Sequence, residues 1–177
     1  MKKHFALLRA LALPAAVLAL SSCSDVVQPT AAEARLSHNS GATLVECPTD
    51  VTKTASVTID LLGGTIELDG HRVVIPAQAV LTPTTFTLTV PAGKYVKIDV
   101  TANGAEHFQF EKPVSMTISY ARCTRANIDK IEKHDLDIFY VDGNDAILEN
   151  MGGDQNTTDK TVTTSTDHLS AYAVGSG

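Results

Sequence analysis

In His168-Leu169-Ser170 a base and a nucleophile stand at a spacing that could cut a peptide bond. The Ser170 hydroxyl could attack the Leu169 carbonyl while His168 accepts its proton, and water would then hydrolyse the ester formed by the acyl shift. Attack on a neighbouring carbonyl needs a strained turn, because a relaxed strand holds the hydroxyl badly for it. In an unstrained strand His168 and Ser170 point to one face and Leu169 to the other, into a core. No acid partner or oxyanion donor can be named from sequence, and a cut there frees only Ser170–Gly177. The expectation is therefore an intact, non-enzymatic chain, a protein-binding or envelope-structural module, with autocleavage between Leu169 and Ser170 as the alternative.

Other clusters point to ordinary structure. Asp142, Asn144 and Asp145 carry oxygens suited to Ca²⁺, but their spacing does not fit a twelve-residue loop closed by Glu. Turn chemistry accounts for them better. His38, His71, His107 and His134 are scattered without a ligand spacing, so each is expected at a surface or turn rather than on a metal. Asp135 and Asp137 read as solvated charge, since a glycosidase needs two carboxylates facing each other across a cleft. Arg122, Arg125, Lys130 and Lys133 read as a solvated loop face. Neither a metal nor a cofactor is expected.

The start of the chain carries an address. Lys2, Lys3 and Arg9 precede an apolar run from Ala10 to Leu20, followed by Ser21-Ser22-Cys23. The run is much shorter than the roughly 20 residues of a membrane-spanning helix, so it reads as the apolar region of a secretory signal. Leu20-Ser21-Ser22-Cys23 resembles the lipobox of bacterial lipoproteins, which implies removal of residues 1–22 and lipid on Cys23. The expected location is a bacterial membrane, and the outer one because Ser24 follows the cysteine. Loss of the three basic residues takes the formal charge from −6 to −9. So acidic a chain repels phosphate backbones, which argues against nucleic acid as a partner. With no Trp and few Phe or Tyr, no aromatic platform for sugar rings is evident. The partners expected are the membrane, through lipid, and another protein.

With Cys23 used for lipid, Cys47 and Cys123 remain as an even pair in an exported chain, and a disulfide is expected. The competing arrangement is two buried thiols. Residues 23–46 read as the lipidated N-terminus and a flexible tether reaching on the order of 25 Å, and residues 47–177 as the folded domain.

Whatever positions these groups is built of β-strands. Phe86, Leu88 and Val90 alternate with threonines, as Val96, Ile98 and Val100 alternate with polar neighbours; Val114, Met116, Ile118 and Tyr120 do the same. Period two with Thr and Ser outward describes a sheet with one wet face. Phe86, Leu88, Ile98, Val100, Val114, Met116, Ile118 and Ile138 are the expected core. Asp69-Gly70 predicts a tight hairpin between Thr65–Leu68 and Arg72–Ile75, and Asp142-Gly143-Asn144 predicts another of the same kind. Pro76, Pro83, Pro91 and Pro113 are expected at strand edges. Only Thr124 to Lys133 could be helical. The expected fold is all-β, an antiparallel β-sandwich of nine to ten short strands with at most one short helix.

Four segments together resemble the ZU-five domain, the β-sandwich shared by zonula occludens proteins, netrin receptors and ankyrins. They are Gly63-Gly64-Thr65, Val74-Ile75-Pro76-Ala77-Gln78-Ala79-Val80, Phe110-Glu111-Lys112-Pro113-Val114 and Asp167-His168-Leu169-Ser170-Ala171-Tyr172. The resemblance implies the sandwich and a habit of protein–protein contact, but no ligand. Gln78 departs from it, standing where relatives often carry glycine. His168-Leu169-Ser170 also resembles two eukaryotic self-cleavage sites: the His-Phe-Ser of a ZU-five-type domain and the His-Leu-Ser or His-Leu-Thr of adhesion-receptor autoproteolysis domains.

Overall fold

The computed structural model describes residues 41–177. Residues 1–22, expected to be a signal peptide, Cys23, expected to carry lipid, most of the expected tether and His38 lie outside the described residues. Fourteen strands and one helix follow in the order β1 (Thr43–Leu44), β2 (Glu46–Thr49), β3 (Lys53–Ile59), β4 (Gly64–Leu68), β5 (His71–Ile75), β6 (Thr84–Val90), β7 (Gly93–Tyr95), β8 (Lys97–Ala102), β9 (Gln109–Ser119), α1 (Arg125–Ile131), β10 (Leu136–Val141), β11 (Ile147–Gly152), β12 (Asp154–Asn156), β13 (Thr161–His168) and β14 (Ala171–Ser176). The excess over nine or ten strands comes from β1, β2, β7 and β12, each of two to four residues, too short to show a period.

Two antiparallel sheets pack face to face, as the alternation predicts. The larger runs β11-β10-β14-β8-β6-β3, with β1 also on β14; the smaller runs β12-β13-β9-β5-β4, and β2-β7 form a separate ribbon. Phe86, Leu88, Ile98 and Ile138 from one sheet meet Val114, Met116 and Ile118 from the other in one core, all 1% exposed or less, together with Val100. The outward residues of β3 and β6 form a hydroxyl ladder, with Ser56 on Thr87 at 2.8 Å and Thr58 on Thr85 at 2.9 Å. Cross-strand Ser and Thr pairs of this kind hold register on a wet face.

The domain begins earlier than 47. Thr43 and Leu44 pair with Ser176 and Gly175 of β14, and Leu44 and Val45 are 7% and 4% exposed. Apolar side chains this short in number give no period, so composition alone assigns them to the tether. Cys47 and Cys123 form a disulfide, with Cα atoms 5.2 Å apart. It ties β2 to the segment that leads into α1, whose first turn is capped by the Thr124 side chain accepting from the Asn127 N–H.

Two turn expectations change in detail. Asp69 and Gly70 have φ of 51° and 84°, the doubly left-handed geometry of a tight hairpin. In the 142–146 turn, however, the left-handed residue is Asp145 (φ 63°), not Gly143. There the Asp142 carboxylate accepts from Asn144 N and Ala146 N, both at 2.8 Å, and this closes the turn. Pro113 is not at a strand end but inside β9. It sits where the β9–β13 register slips, between the Val114–Thr166 and Gln109–His168 pairs, and a bulge needs no proline N–H.

Candidate functional site

His168-Leu169-Ser170 forms the corner at which the chain leaves one sheet for the other. His168 ends β13 in the smaller sheet, and β14 in the larger sheet starts at Ala171. Leu169 fills the core at 1% exposure, and its N–H donates to Phe108 O at 2.9 Å. Ser170 O accepts from Val100 N at 3.2 Å. Phe108 belongs to a stack with Phe86 and Phe110, with ring centroids 5.1–5.7 Å apart. The corner is thus pinned by backbone bonds on both sides and by an aromatic plug beneath it.

Hydroxyl groups converge on one carbonyl at this corner. Tyr172 Oη donates to His168 O at 2.8 Å, and Thr166 Oγ1 donates to the same oxygen at 3.1 Å. That carbonyl precedes the one Ser170 would have to attack, so the donors grip the wrong oxygen for the acyl shift. His168 Nδ1 lies 3.1 Å from Asp167 Oδ1 and 3.4 Å from Thr166 Oγ1; among the described residues no hydrogen bond joins it to Ser170. Neither His168, Leu169 nor Ser170 has a left-handed φ. Hydrogen bonds from His168 and Gln109 hold the Asp167 carboxyl below its ordinary range. Burial pushes the Tyr172 phenol up to about 12, so it remains a donor at any physiological pH. These bonds serve to lock a corner.

His71, expected at a surface or turn, is a core residue, 1% exposed. Its ring sits on the inward face of β5 with Val73 and Ile75. Nδ1 accepts from Ser119 N–H at 3.2 Å, which leaves the proton on Nε2, a buried atom with no partner. Burial first, then the nearby Arg122 guanidinium, lower its pKa to about 4, against a weaker opposing pull from Asp69. The period-two alignment with Val73 and Ile75 was the available signal for this burial. Next to it the Arg122 side chain donates to Tyr95 O at 3.0 Å.

The acidic turn offers no free cage, since Asp142 closes its own turn and Asp145 pairs with Lys97. Among the described residues no group of three His, Cys, Asp or Glu side chains is arranged to hold a metal. Glu132 is bound by Lys160 at 2.8 Å and by the Tyr120 hydroxyl at 2.9 Å, which fastens the end of α1 to the sandwich.

Gly63 and Gln78 meet at the opposite end of the sandwich from β1. Gly63 has φ 75°, and a Cβ there would stand 2.4 Å from Ile75 O. Gln78 adopts φ 65°, a region that glycine enters freely and other residues enter at a cost. Gln78 N donates to Leu61 O at 2.8 Å, and Lys112 Nζ donates to Gln78 Oε1 at 2.9 Å. These bonds compensate the strained residue and join the β3–β4 turn to the β5–β6 loop. The same two connections carry Leu61, Leu62 and Leu81, which are 50%, 84% and 58% exposed. No protein-family model matches the chain, and no curated protein matches it.

Proposed function

We propose that this chain is a lipid-anchored, non-enzymatic lipoprotein of the bacterial envelope whose ZU-five-like sandwich binds a protein. Cys23 carries the lipid and residues beyond it tether the domain. The observation that supports the reading most is the polarity of the sandwich. The tether would join at Thr43, which pairs with the far end of β14 at Ser176. Leu61, Leu62 and Leu81 lie beyond Ile59 and Thr84, at the other end of the strands, about 20 Å away along a six-residue strand. Exposed leucines clustered on two joined turns are the composition of a contact surface rather than of a solvated tip. An anchored domain of this polarity presents them away from its membrane. The non-enzymatic part of the reading is supported by the grip of Tyr172 and Thr166 on the His168 carbonyl and by the engagement of His168 Nδ1 with Asp167.

Two measurements test it. Cys23→Ser should leave the protein out of the membrane fraction or unprocessed; correct processing with membrane retention would end the lipoprotein reading. A photo-crosslinking residue at position 62 should give a discrete protein adduct in intact cells that Leu81→Asp abolishes. Adducts that are absent, or indifferent to Leu81→Asp, would end the binding reading at this end of the domain.

A further inference from the structure

α1 keeps its apolar and its charged residues apart. Ile128 and Ile131 pack against the core, while Arg125, Ala126, Asp129, Lys130 and, just past the helix, Lys133 are exposed. The half-buried Glu132 is already held by Lys160 and the Tyr120 hydroxyl. Among the described residues Arg125, Lys130 and Lys133 enter no ion pair. Arg122 is exposed too, with its guanidinium resting on Tyr95 O. The exposed acids of the same stretch are Asp129 and Asp135. Residues 122–135 thus keep a net positive outer face, in a chain whose formal charge is −9 without residues 1–22.

This face lies at the end of the sandwich where the chain enters. Asn127 Nδ2 donates to Glu46 O at 3.3 Å, and the Cys47–Cys123 disulfide ties the residue before the helix cap to β2. After the helix, β10 starts at Leu136 opposite Ser176, and Ser176 pairs with Thr43. A tether reaching on the order of 25 Å keeps this end close to any membrane that holds Cys23. Attraction between cations and an anionic leaflet fades within a Debye length, about 8 Å at physiological salt. It therefore acts on the end that carries α1 and not on the opposite end, where Leu61, Leu62 and Leu81 stand. A few cations too weak to hold a free protein on a bilayer suffice to orient a tethered one, because the tether keeps the headgroups at high effective concentration.

We propose that the outer face of α1, with Arg125, Lys130 and Lys133 at its centre, docks on anionic phospholipid headgroups of the membrane that carries the protein. This rests on the lipid-anchored reading and deepens it, turning a passive anchor into a fixed orientation with the leucine-bearing end outermost.

A photo-crosslinking residue at position 126 should give an adduct heavier by one phospholipid in intact cells, and one at position 62 should not. Arg125→Glu/Lys130→Glu/Lys133→Glu should cut the lipid adduct about tenfold or more while leaving the thermal midpoint in place. Lys130→Arg/Lys133→Arg should retain it. On vesicles, the purified full chain should show slowed amide exchange over residues 125–131 with phosphatidylglycerol present and not with phosphatidylcholine alone. That protection should vanish at about 1 M salt, where the Debye length falls to about 3 Å. If Cys23→Ser shows that the chain is not anchored, the anchored reading falls first. If anchoring holds, this inference alone is overturned by a position-126 residue that captures no lipid or captures a protein instead. Equal protection on both kinds of vesicle, or an undiminished adduct in the charge-reversed variant, overturns it as well.

Discussion

Acid should loosen this domain through His71. The ring is neutral in the folded state, with its pKa lowered from 6.5 to about 4 because burial and Arg122 both oppose the charged form. The unfolded chain has no such constraint, so between pH 6.5 and 4 it binds a proton that the folded chain refuses. Stability from this group is therefore fully present above about pH 6.5 and is lost as pH falls through the window toward 4. At 1.36 kcal/mol per unit, the loss amounts to about 3 kcal/mol, a large part of what holds most domains folded. Equilibrium urea unfolding at half-unit steps from pH 4 to 7.5 measures it. His71→Gln supplies an acceptor for the Ser119 N–H without a titrating ring, so subtracting its profile removes the carboxylates, which titrate in both proteins. The difference between the two should rise by about 3 kcal/mol from pH 4 to 7. A flat difference, or an NMR titration placing the His71 midpoint near 6.5, would refute the argument that the buried ring cannot take up a proton.

Gln78→Gly should stabilise the domain by about 0.5–1 kcal/mol in thermal or urea unfolding, since it relieves a left-handed non-glycine residue and loses only an exposed side-chain bond to Lys112. Gly63→Ala at the same junction should cost more than about 3 kcal/mol, because its Cβ collides with backbone; a Gln78→Gly variant no more stable than wild type, or a Gly63→Ala variant as stable as wild type, would disprove the junction. Ser170→Ala should leave the intact mass of the mature chain unchanged apart from the substitution. A wild-type species ending at Leu169, lost in both Ser170→Ala and His168→Ala, would make self-processing the lead function.

Alternation in β6, β8 and β9 made the core legible because a half-buried strand writes its two faces into every second residue. Asp69-Gly70 made its hairpin legible because few residue pairs accept two left-handed positions. Those signals are local, and they specified the layers and the inward residues, leaving Thr124 to Lys133 as the one stretch that could be helical. Pairing between distant strands decided everything else. The inclusion of Leu44 and Val45 in the fold depends on the end of β14, more than a hundred residues away in sequence. The left-handed Gln78 is sustained by Leu61 and Lys112, neither of them a neighbour. His71 carried a polar name and a buried position at once, and only the arrival of Ser119 beside it explains how the ring is tolerated. His168-Leu169-Ser170 shows the division most plainly. The sequence places a base and a hydroxyl two residues apart; which carbonyl the surrounding donors grip is decided by Tyr172 and Thr166 after both sheets have closed, since hydrogen bonds depend on position in space rather than order in the chain.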